Sequence, residues 1–305
     1  MSVPVADVPA QTDVPAQTTG PDTATGLGPA PMPTVSGTTR LYVVIGDPVT
    51  QVRAPSLLNP LFARLAIDAV LVPVQARPEA FGTVLAGLAA TGNVDGVFVT
   101  IPHKVAACEL ATERSTAAQI SGSANVLRRL PGGGWAADNF DGAGFVRGLA
   151  RAGQPLEGTR VALMGAGGAG SAIAVALLGA GCRQLAIHDP DQARCADLVA
   201  RLDVHWPGRV TRAVRPALAD ADLAVNATPL GLRPGDQLPF PPEALPAGAL
   251  VADIIMKPAR TRLLDAAGAL GLRTHPGIPM LAEQVDLYRE FFGFTAPGGD
   301  VAAST

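Results

Sequence analysis

The feature that most constrains this chain is a glycine-rich turn that joins a short apolar run to a helical segment. Residues 161–164 have the length of a strand, and an Ala/Leu-rich segment of helical composition starts at about Gly168. Between them, Gly165, Gly167 and Gly170 satisfy the pattern G-x-G-x-x-G. In a dinucleotide-binding fold these glycines permit a tight turn, a close approach of the pyrophosphate and close helix–strand packing, respectively. The N–H groups at the start of the helix then face the phosphates.

A second strand and an acidic residue complete the signature. Residues 184–188 form another apolar run, and Asp189 follows roughly where the motif places an acid that binds the adenosine ribose hydroxyls. Because the chain has 34 glycines, the pattern alone could be a chance match or a turn built only for packing. The complete order of strand, turn, helix, strand and acid favours a Rossmann-type domain. The cofactor-binding residues predicted from this signature are Gly165, Gly167, Gly168, Ala169, Gly170 and Asp189.

Length, charge and cysteine content limit the class of protein. At 305 residues, the chain exceeds a typical domain of roughly 100–200 residues, so we expect two domains. The net charge is −3 with no basic cluster, which argues against a nucleic-acid partner. The three cysteines form no C-x-x-C pair, and such a sparse, odd set suits a reducing compartment. No apolar run approaches the roughly 20 residues of a membrane span, so we predict a cytoplasmic protein without a membrane partner.

Alternating strands and helices predict an α/β protein with a parallel-based sheet in each of two domains. Residues 40–144 are predicted to form the first domain, and residues 145–276 the Rossmann-type domain. The helical segment 277–295 is predicted to pack back on the first domain. Residues 1–39 contain no Lys or Arg and repeat DVPAQT, and residues 296–305 are similarly polar and small. Both ends lack apolar periodicity, which predicts a disordered tail and a loose C-terminus.

Some helix boundaries follow from the same patterns. Residues 104–113 are predicted to form one helix, and residues 280–292 another. Near the start of the chain, Pro60 leaves two alternatives for the helix that contains it. Either the helix restarts at an Asn59 cap with Pro60 in its first position, or it is kinked at Pro60.

Eight short motifs occur in an order and spacing that resemble those of the shikimate/quinate dehydrogenase family over residues 41–293. They are VIGDPV (44–49), TIPHK (100–104), SGSANVL (121–127), DNFDGAGF (138–145), GAGGAGS (165–171), NATPLGL (226–232), DIIMKPARTRLL (253–264) and GIPMLAEQ (277–284). The resemblance implies an N-terminal substrate domain, a Rossmann-type cofactor domain and a homodimer. It also implies hydride transfer between a nicotinamide and a ring hydroxyl.

Lys104 and Asp141 are the predicted catalytic pair. Lys104 follows a strand and an Ile-Pro turn, at the sheet edge where ligand clefts of α/β folds lie. A lysine partly desolvated in a cleft has a lowered pKa and can exchange a proton with a substrate hydroxyl. Asp141, at a helix start, could orient the lysine or share the proton. The alternative for either residue alone is a solvated surface charge, and the resemblance assigns both to proton transfer.

The resemblance also implies further site residues. Asn125 and Gln284 correspond to substrate-binding amides, which can both donate and accept hydrogen bonds, as a polyol requires. Thr100 belongs to the same predicted substrate site. The residues implied on the nicotinamide side of the cofactor site are Asn226, Thr228, Pro229, Gly277 and Met280.

Several positions depart from the family pattern, and each departure removes a polar group. Val52 and Ala54 stand where a pair of serines usually binds the substrate carboxylate. The other four changes are Phe98 for Asn, Val126 for Thr, Phe140 for Thr and Met256 for Tyr. An unpaired polar substrate group costs roughly 1–3 kcal/mol when buried, so the substrate should differ from shikimate or bind differently. Arg53 could supply a bidentate replacement contact to the carboxylate, or be a solvated loop residue.

These departures are compatible with more than one class of substrate. We expect shikimate, quinate or a related cyclic hydroxy acid or polyol. An unrelated, less polar alcohol or ketone is one alternative, and a regulator that binds NAD or a metabolite without catalysis is another.

The predicted cofactor is NAD rather than NADP. Family members that prefer NADP carry Asn-Arg-Thr after the second Rossmann strand, where the arginine meets the 2′-phosphate. This chain has His188, Asp189 and Pro190 there, and a carboxylate repels a phosphate. Arg194 is close in sequence but is expected on the following helix. The histidines show no metal-ligand spacing, so no metal is predicted.

Overall fold

The computed structural model describes residues 34–295, which form two six-stranded sheets with helices packed around them. The strands of the first sheet are β1 (Arg40–Gly46), β2 (Ala69–Gln75), β3 (Val94–Val99), β4 (Glu113–Arg114), β5 (Val126–Arg129) and β6 (Trp135–Asp138). The strands of the second sheet are β7 (Arg160–Met164), β8 (Gln184–His188), β9 (Val210–Arg212), β10 (Leu223–Asn226), β11 (Leu250–Asp253) and β12 (Arg273–His275). The predicted pair of α/β domains is confirmed.

The helices lie between the strands in the order expected for α/β units. They are α1 (Ala54–Arg64), α2 (Phe81–Ala90), α3 (Lys104–Glu109), α4 (Thr116–Ser121), α5 (Asp141–Arg151), α6 (Gly168–Gly179), α7 (Gln192–His205), α8 (Arg262–Ala269), α9 (Ile278–Ala282) and α10 (Val285–Phe292). Two 3₁₀ turns occur at Pro78–Ala80 and Pro242–Ala244. No helix within residues 34–295 is both long and apolar enough to cross a membrane.

The first sheet has the order β2-β1-β3-β5-β6-β4 and mixes parallel and antiparallel pairs. Strand β1 pairs in parallel with both β2 and β3, while β5 runs antiparallel to β3 and β6. The buried runs of β1 and β3 are nearly continuous in apolar residues, as expected for parallel strands covered on both faces. Parallel strands β1 and β3 therefore end at the same sheet edge, where the TIPHK motif begins.

The second sheet is entirely parallel, with the order β12-β11-β10-β7-β8-β9. The first strand, β7, lies in the middle, and the chain order reverses between β7 and β10. In such sheets the crevice at the carboxyl ends of the strands beside the reversal is the place where ligands bind. The glycine-rich turn lies at this crevice because it directly follows β7.

Several boundaries differ from those predicted. The helix predicted over 104–113 ends at Glu109, and its last carbonyls accept hydrogen bonds from Arg114. Helix α4 was not predicted; it begins after Ser115, whose hydroxyl caps it by accepting from the N–H of Ala118 at 3.1 Å. Pro60 lies inside the continuous helix α1, so the helix does not restart there.

The C-terminal segment also differs from prediction, because two helices replace the single helix 280–292. The backbone tightens between α9 and α10, where the N–H of Gln284 donates to the carbonyl of Leu281, three residues back. Helix α10 packs on the first sheet: Tyr288 and Phe292 lie edge-on or tilted against Phe98, with ring centroids 5.0 and 5.1 Å away.

The predicted N-terminal tail ends earlier than residue 39. The hydroxyls of Thr38 and Thr39 donate to the Asp68 carboxylate at 2.6 and 2.7 Å, and Thr39 is buried. The rest of the tail, residues 1–33, and the predicted loose C-terminus, residues 296–305, lie outside the described residues.

Candidate active site

A lysine–carboxylate pair lies where the two domains face each other. Lys104 is the first residue of α3 and Asp141 the first residue of α5. The Lys104 ammonium donates a hydrogen bond to Asp141 Oδ2, and the two side chains are only 14% and 5% exposed. A buried charge needs a partner of opposite sign, and each of these residues provides that partner for the other.

His103, which directly precedes Lys104, anchors the turn between β3 and α3. Its Nε2 donates to the carbonyl of Ala76 at 2.7 Å, and its ring stacks on Phe81 with centroids 4.5 Å apart. His103 is buried and is therefore a structural residue that ties the start of α3 to the segment after β2. These contacts hold in place the residue that directly precedes Lys104.

A chain of hydrogen bonds leads away from Asp141. Asn125 Nδ2 donates to Asp141 Oδ1 at 3.0 Å and to Gln284 Oε1 at 2.8 Å. Asn125 Oδ1 accepts from the backbone N–H of Phe140 at 3.0 Å, and Gln284 Nε2 donates to the carbonyl of Met280 at 3.1 Å. The structure thus brings together four predicted site residues: Lys104, Asp141, Asn125 and Gln284.

The chain of hydrogen bonds continues to a residue that sequence reasoning missed. The Tyr288 hydroxyl donates to Gln284 Oε1, and burial together with the charge of Asp141 raises the pKa of Tyr288 well above its usual value. Tyr288 lies one helical turn after Gln284, so the i, i+4 spacing on a helix was the available signal.

The glycine turn has the shape that its sequence predicts. Gly165 has φ of +105°, and a Cβ there would lie 2.7 Å from the carbonyl oxygen of Ala227. A Cβ on Gly170 would lie 2.0 Å from the carbonyl oxygen of Gly165, so helix α6 packs directly on the turn. Gly167, by contrast, faces open space at the start of α6. The N–H groups of the first helical turn have no intrahelical partner, and this cradle fits a pyrophosphate.

Gly168 has a different role from the other glycines of the turn. A Cβ there would lie 2.6 Å from Lys104 Cβ, so the lack of a side chain lets helix α3 approach the turn. The Gly168 carbonyl also accepts from the Ser123 hydroxyl at 2.8 Å, and Asn139 Nδ2 donates to that hydroxyl at 2.8 Å. Ser123 and Asn139 were not predicted; both lie inside the resemblance motifs, which was the only signal for them.

Asp189 lies at the carboxyl end of β8 and supports the turn. Its Oδ2 accepts from the N–H of Ala166 at 2.7 Å, and its Oδ1 accepts from the N–H of Asp191 at 2.9 Å. Arg194 lies on α7, as expected, and its Nη2 is 2.9 Å from Asp191 Oδ2 and 4.0 Å from Asp189 Oδ1. A carboxylate has further lone pairs, so Asp189 can hold the turn and still accept from a ligand.

Asn226 lies beneath the loop after β10 and not on the cleft wall. It is fully buried, and its Oδ1 accepts from the N–H and hydroxyl of Thr228 at 3.0 and 2.7 Å. Its Nδ2 donates to the carbonyl of Leu230 and to Asp253 Oδ1. Burial raises the pKa of Asp253 despite three hydrogen bonds that oppose the shift. Asn226 and Asp253 therefore shape the loop that presents Thr228 and Pro229.

Gly277 and Met280 close the same side of the site. A Cβ on Gly277 would lie 2.4 Å from the carbonyl oxygen of Ile254, so this glycine permits a close chain crossing. Met280 is buried at the floor of the cleft.

Many of these residues border one cleft of about 1690 Å³, among them Lys104, Asp141, Asn125, Gln284 and Gly167. On the substrate side of this cleft, the polar residues include Thr100 and Arg53. Arg53 is exposed and directly precedes α1. The apolar residues of the cleft include Val52, Ala54 and Phe98, together with Met256. Val126 and Phe140 are buried in the apolar cluster behind this wall. No group of His, Cys, Asp and Glu within residues 34–295 has the arrangement of a metal site.

Comparison with known proteins gives a consistent assignment. The family model of the shikimate dehydrogenase substrate-binding domain matches residues 44–127, and that of the ThiF family matches residues 146–202. The shikimate dehydrogenase (NADP(+)) of Rubrobacter xylanophilus is 39% identical over 268 residues, which cover 86% of this chain and 94% of the relative. The chain belongs to the shikimate dehydrogenase family. The motifs found in the sequence are therefore family motifs, and the resemblance is confirmed.

Solved structures with related sequences share the fold of this chain. Shikimate 5-dehydrogenase from Listeria monocytogenes, in complex with shikimate and NAD, has a TM-score of 0.75 and 25% identity, with 86% of this chain and 95% of the other covered. The ligand-free 5-ketofructose reductase of Gluconobacter has a TM-score of 0.72 and 26% identity, with 84% and 94% covered. The family is one of nicotinamide-dependent oxidoreductases that act on CH–OH groups.

Proposed function

We propose that this protein is an NAD-dependent dehydrogenase that interconverts a ring hydroxyl and a ketone in shikimate, quinate or a related cyclic hydroxy acid. The observation that carries the proposal is the buried Lys104–Asp141 pair beside the glycine turn, with Gly168 leaving room for the lysine stem. Oxidation of the alcohol needs a hydride acceptor at the carbon and a proton acceptor at its oxygen, and the closeness of the pair to the glycine turn supports both roles. Residues 40–144 with 277–295 are proposed as the substrate domain, and 145–276 as the cofactor domain.

Lys104 exchanges the proton in this mechanism. When bound, the nicotinamide supplies or accepts the hydride at the carbinol carbon. In the reducing direction, the Lys104 ammonium donates a proton to the carbonyl oxygen as the hydride adds to the carbon. Asp141 stabilises the ammonium and keeps Nζ pointed into the cleft, and oxidation reverses each transfer. A well-placed acid–base group contributes roughly 10²–10⁴-fold to such a reaction.

The cofactor would be held by the glycine turn, the loop after β10 and helix α9. The open face of Gly167 and the N–H groups of Gly168, Ala169 and Gly170 suit the pyrophosphate. The loop that presents Thr228 and Pro229 would lie against the nicotinamide, with Met280 beneath it. Asn226 would act by shaping this loop, and Gly277 by permitting the chain crossing. Neither residue would touch the cofactor.

Charge at the ribose end supports NAD over NADP. Asp189 and Asp191 both lie there, and Arg194, the nearest cation, already pairs with Asp191. A 2′-phosphate would have to face two carboxylates and compete for that guanidinium, whereas ribose hydroxyls can donate to Asp189. The Rubrobacter relative is named for NADP(+) and the Listeria structure holds NAD, so both cofactors occur among the relatives of this chain.

The test is initial-rate kinetics with NAD and NADP against shikimate and quinate. We expect reduction of NAD by at least one of the two acids, with a lower kcat/KM for NADP. Higher efficiency with NADP would contradict the cofactor proposal. No reduction of either cofactor would remove these acids as substrates and favour a regulator that binds the cofactor without turnover.

Arg53 is proposed to bind the substrate carboxylate, because it lies on the cleft wall beside the positions of the missing serines. We expect Arg53→Ala to raise KM for shikimate about 10-fold or more, the effect of roughly 1.5–3 kcal/mol for a charged hydrogen bond, with little change in kcat. Arg64→Ala, at the exposed end of the same helix, is the matched control. Equal kinetics for the two variants would mean that Arg53 does not bind the carboxylate.

A less polar alcohol or ketone remains a second candidate, because Val52, Ala54 and Phe98 line the substrate side. The structural neighbour named 5-ketofructose reductase shares this fold, and the substrate in its name is not an acid. Turnover of a neutral cyclic ketone that is insensitive to Arg53→Ala would favour this candidate. A homodimer and a cytoplasmic location stay predictions, which chromatography with light scattering and cell fractionation can test.

A further inference from the structure

Three hydrogen bonds in series lead from Asp141 to the glycine turn. The backbone N–H of Asp141 donates to Asn139 Oδ1 at 3.1 Å, and Asn139 Nδ2 donates to the Ser123 hydroxyl at 2.8 Å. The Ser123 hydroxyl donates in turn to the carbonyl of Gly168, also at 2.8 Å. Ser123 is fully buried and Asn139 is 4% exposed, so water has little access to these hydrogen bonds.

The donor and the acceptor in each hydrogen bond follow from the groups at the two ends of the series. A backbone N–H only donates, so Asn139 presents its oxygen to Asp141 and its NH₂ to Ser123. The Gly168 carbonyl only accepts, so it takes the single hydrogen of the Ser123 hydroxyl. Asn139 Nδ2 also lies 3.4 Å from that carbonyl oxygen. Both side chains therefore direct a donor at the same carbonyl of α6.

The loop that carries Ser123 also holds the backbone of Lys104. The N–H of Ala124 donates to the carbonyl of Lys104 at 2.8 Å. Ser123 thus binds the first residue of α6, while the next residue in the chain binds the first residue of α3. Asp141 has its own link to α6, because helix α5 packs directly on that helix at Gly142. The loop therefore connects Lys104 to the helix that follows the glycine turn.

We propose that Ser123 and Asn139 are positioning residues that hold Lys104 at the distance from the glycine turn that proton and hydride transfer to one substrate group require. The inference rests on the proposed function. Lys104 follows a strand of the first sheet and Gly168 follows a strand of the second, so the two transfers depend on elements of different sheets. A misplacement of about 1 Å can cost roughly 100-fold in rate. Neither Ser123 nor Asn139 is among the residues that border the cleft, so both act through the backbone that they hold.

The experiment removes the donors to the Gly168 carbonyl. Ser123→Ala/Asn139→Ala removes both donors, and Ser123→Ala alone is the milder variant. Asn59→Ala is the matched control, because Asn59 is half-buried and its amide bonds to the N–H and the carbonyl of Leu71 at 2.8 and 3.1 Å. This control loses two hydrogen bonds that join α1 to the first sheet, without affecting the contact with α6.

The first readout is the distance between the two sheets' helices in the protein without any ligand. Spin labels are attached to Ala63→Cys in α1 and Val204→Cys in α7, which are exposed positions, whereas the three native cysteines are buried. We expect the double variant to widen the distribution of label distances, Ser123→Ala to widen it less, and Asn59→Ala to leave it as in wild type. An unchanged distribution in the double variant overturns the proposal.

The second readout is the rate with NAD and shikimate, with kcat counted per NAD-binding site so that unfolded protein does not contribute. We expect the double variant to lower this kcat roughly 10- to 100-fold, while KM for shikimate and Kd for NAD stay as in wild type. A merely structural role would reduce the number of NAD-binding sites and leave kcat per site unchanged, and that result overturns the proposal. If the double variant does not fold, Ser123→Ala decides: distances and kcat equal to those of Asn59→Ala overturn the proposal.

The distance measurement separates this inference from the proposed function. A widened distribution, together with a wild-type protein that reduces no NAD, supports the link from Ser123 and Asn139 to α6 and contradicts the dehydrogenase assignment. NAD reduction by the wild type with an unchanged distribution in the double variant contradicts only the positioning role.

Discussion

The cofactor side and the substrate side of the cleft differ in how they present polar groups. Around the glycine turn, Gly167 faces open space, and the backbone N–H groups in the first turn of α6 have no intrahelical partner. On the opposite side, Asn125 and Gln284 are bonded to each other and to their neighbours. The hydroxyl side chains expected near α1 are replaced by Val52 and Ala54. This difference supports the proposal that cofactor binding is kept on one side while substrate recognition has diverged on the other.

The two sides meet at the Lys104–Asp141 pair. Because the Gly168 carbonyl binds Ser123, a substrate-side loop is fixed against the cofactor helix. Changes in the substrate wall can therefore alter which ring is bound without moving the proton-transfer group away from the turn. Variants on each side should consequently affect different kinetic constants.

Loss of the shared pair should have the largest effect. Lys104→Ala removes the proton donor, and we expect kcat to fall roughly 10²–10⁴-fold while NAD still binds. Lys104→Arg keeps a positive charge beside Asp141 but gives up the proton only at very high pH, so it should be similarly inactive. If the Arg variant keeps wild-type kcat, proton transfer by Lys104 is wrong.

The cofactor side is tested by a glycine substitution. In Gly170→Ala, the new methyl would lie 2.0 Å from the carbonyl oxygen of Gly165. We expect destabilisation of about 1–3 kcal/mol and weaker NAD binding in a fluorescence titration. Gly179→Ala, on the same helix with open space around it, should fold and bind NAD normally. Equal NAD affinity in both variants would show that the turn does not hold the cofactor.

A milder test of the cofactor side changes one charge. Asp189→Asn should lower the ratio of kcat/KM for NAD to that for NADP roughly tenfold, which corresponds to one charged hydrogen bond. Asp197→Asn is the control, because Asp197 lies at the same end of the cleft on the exposed face of α7. A ratio that responds equally to both changes would indicate only a general effect of charge.

Restoring hydroxyls on the substrate side should have the smallest effect. The double variant Val52→Ser/Ala54→Ser should raise kcat/KM for shikimate by about two- to tenfold, as expected for one or two neutral hydrogen bonds. Ala63→Ser, exposed on the same helix, controls for adding a hydroxyl elsewhere. A decrease in the double variant would mean that the apolar wall contacts an apolar part of the substrate.

Local patterns were sufficient to predict much of this molecule. The strand, glycine turn and helix from Arg160 to Gly179 follow from nearby residues, because the turn conformation depends on the glycines themselves. Helix α4 was missed because its six residues are too short for an apolar period. The split between α9 and α10 was missed because a tightened turn leaves no mark in the pattern of apolar residues.

The site itself could be predicted only in part. Family motifs identified Lys104 and Asp141, and the structure brings their side chains together. The bond between Asn125 and Gln284 joins residues 159 positions apart, and no local pattern shows which lone pairs it occupies. The hydrogen bond from Tyr288 to Gln284 likewise becomes apparent only with side-chain coordinates.

Steady-state kinetics of the wild-type protein with NAD over a range of shikimate concentrations test the central claim most directly. If the catalytic pair is intact and the substrate wall has lost polar contacts, NADH forms with kcat in the usual range of about 1–10³ s⁻¹ and KM above about 1 mM, the upper end of the usual range. Saturation at micromolar shikimate would contradict the loss of substrate contacts. The absence of NADH at every concentration would contradict oxidation of shikimate by this site.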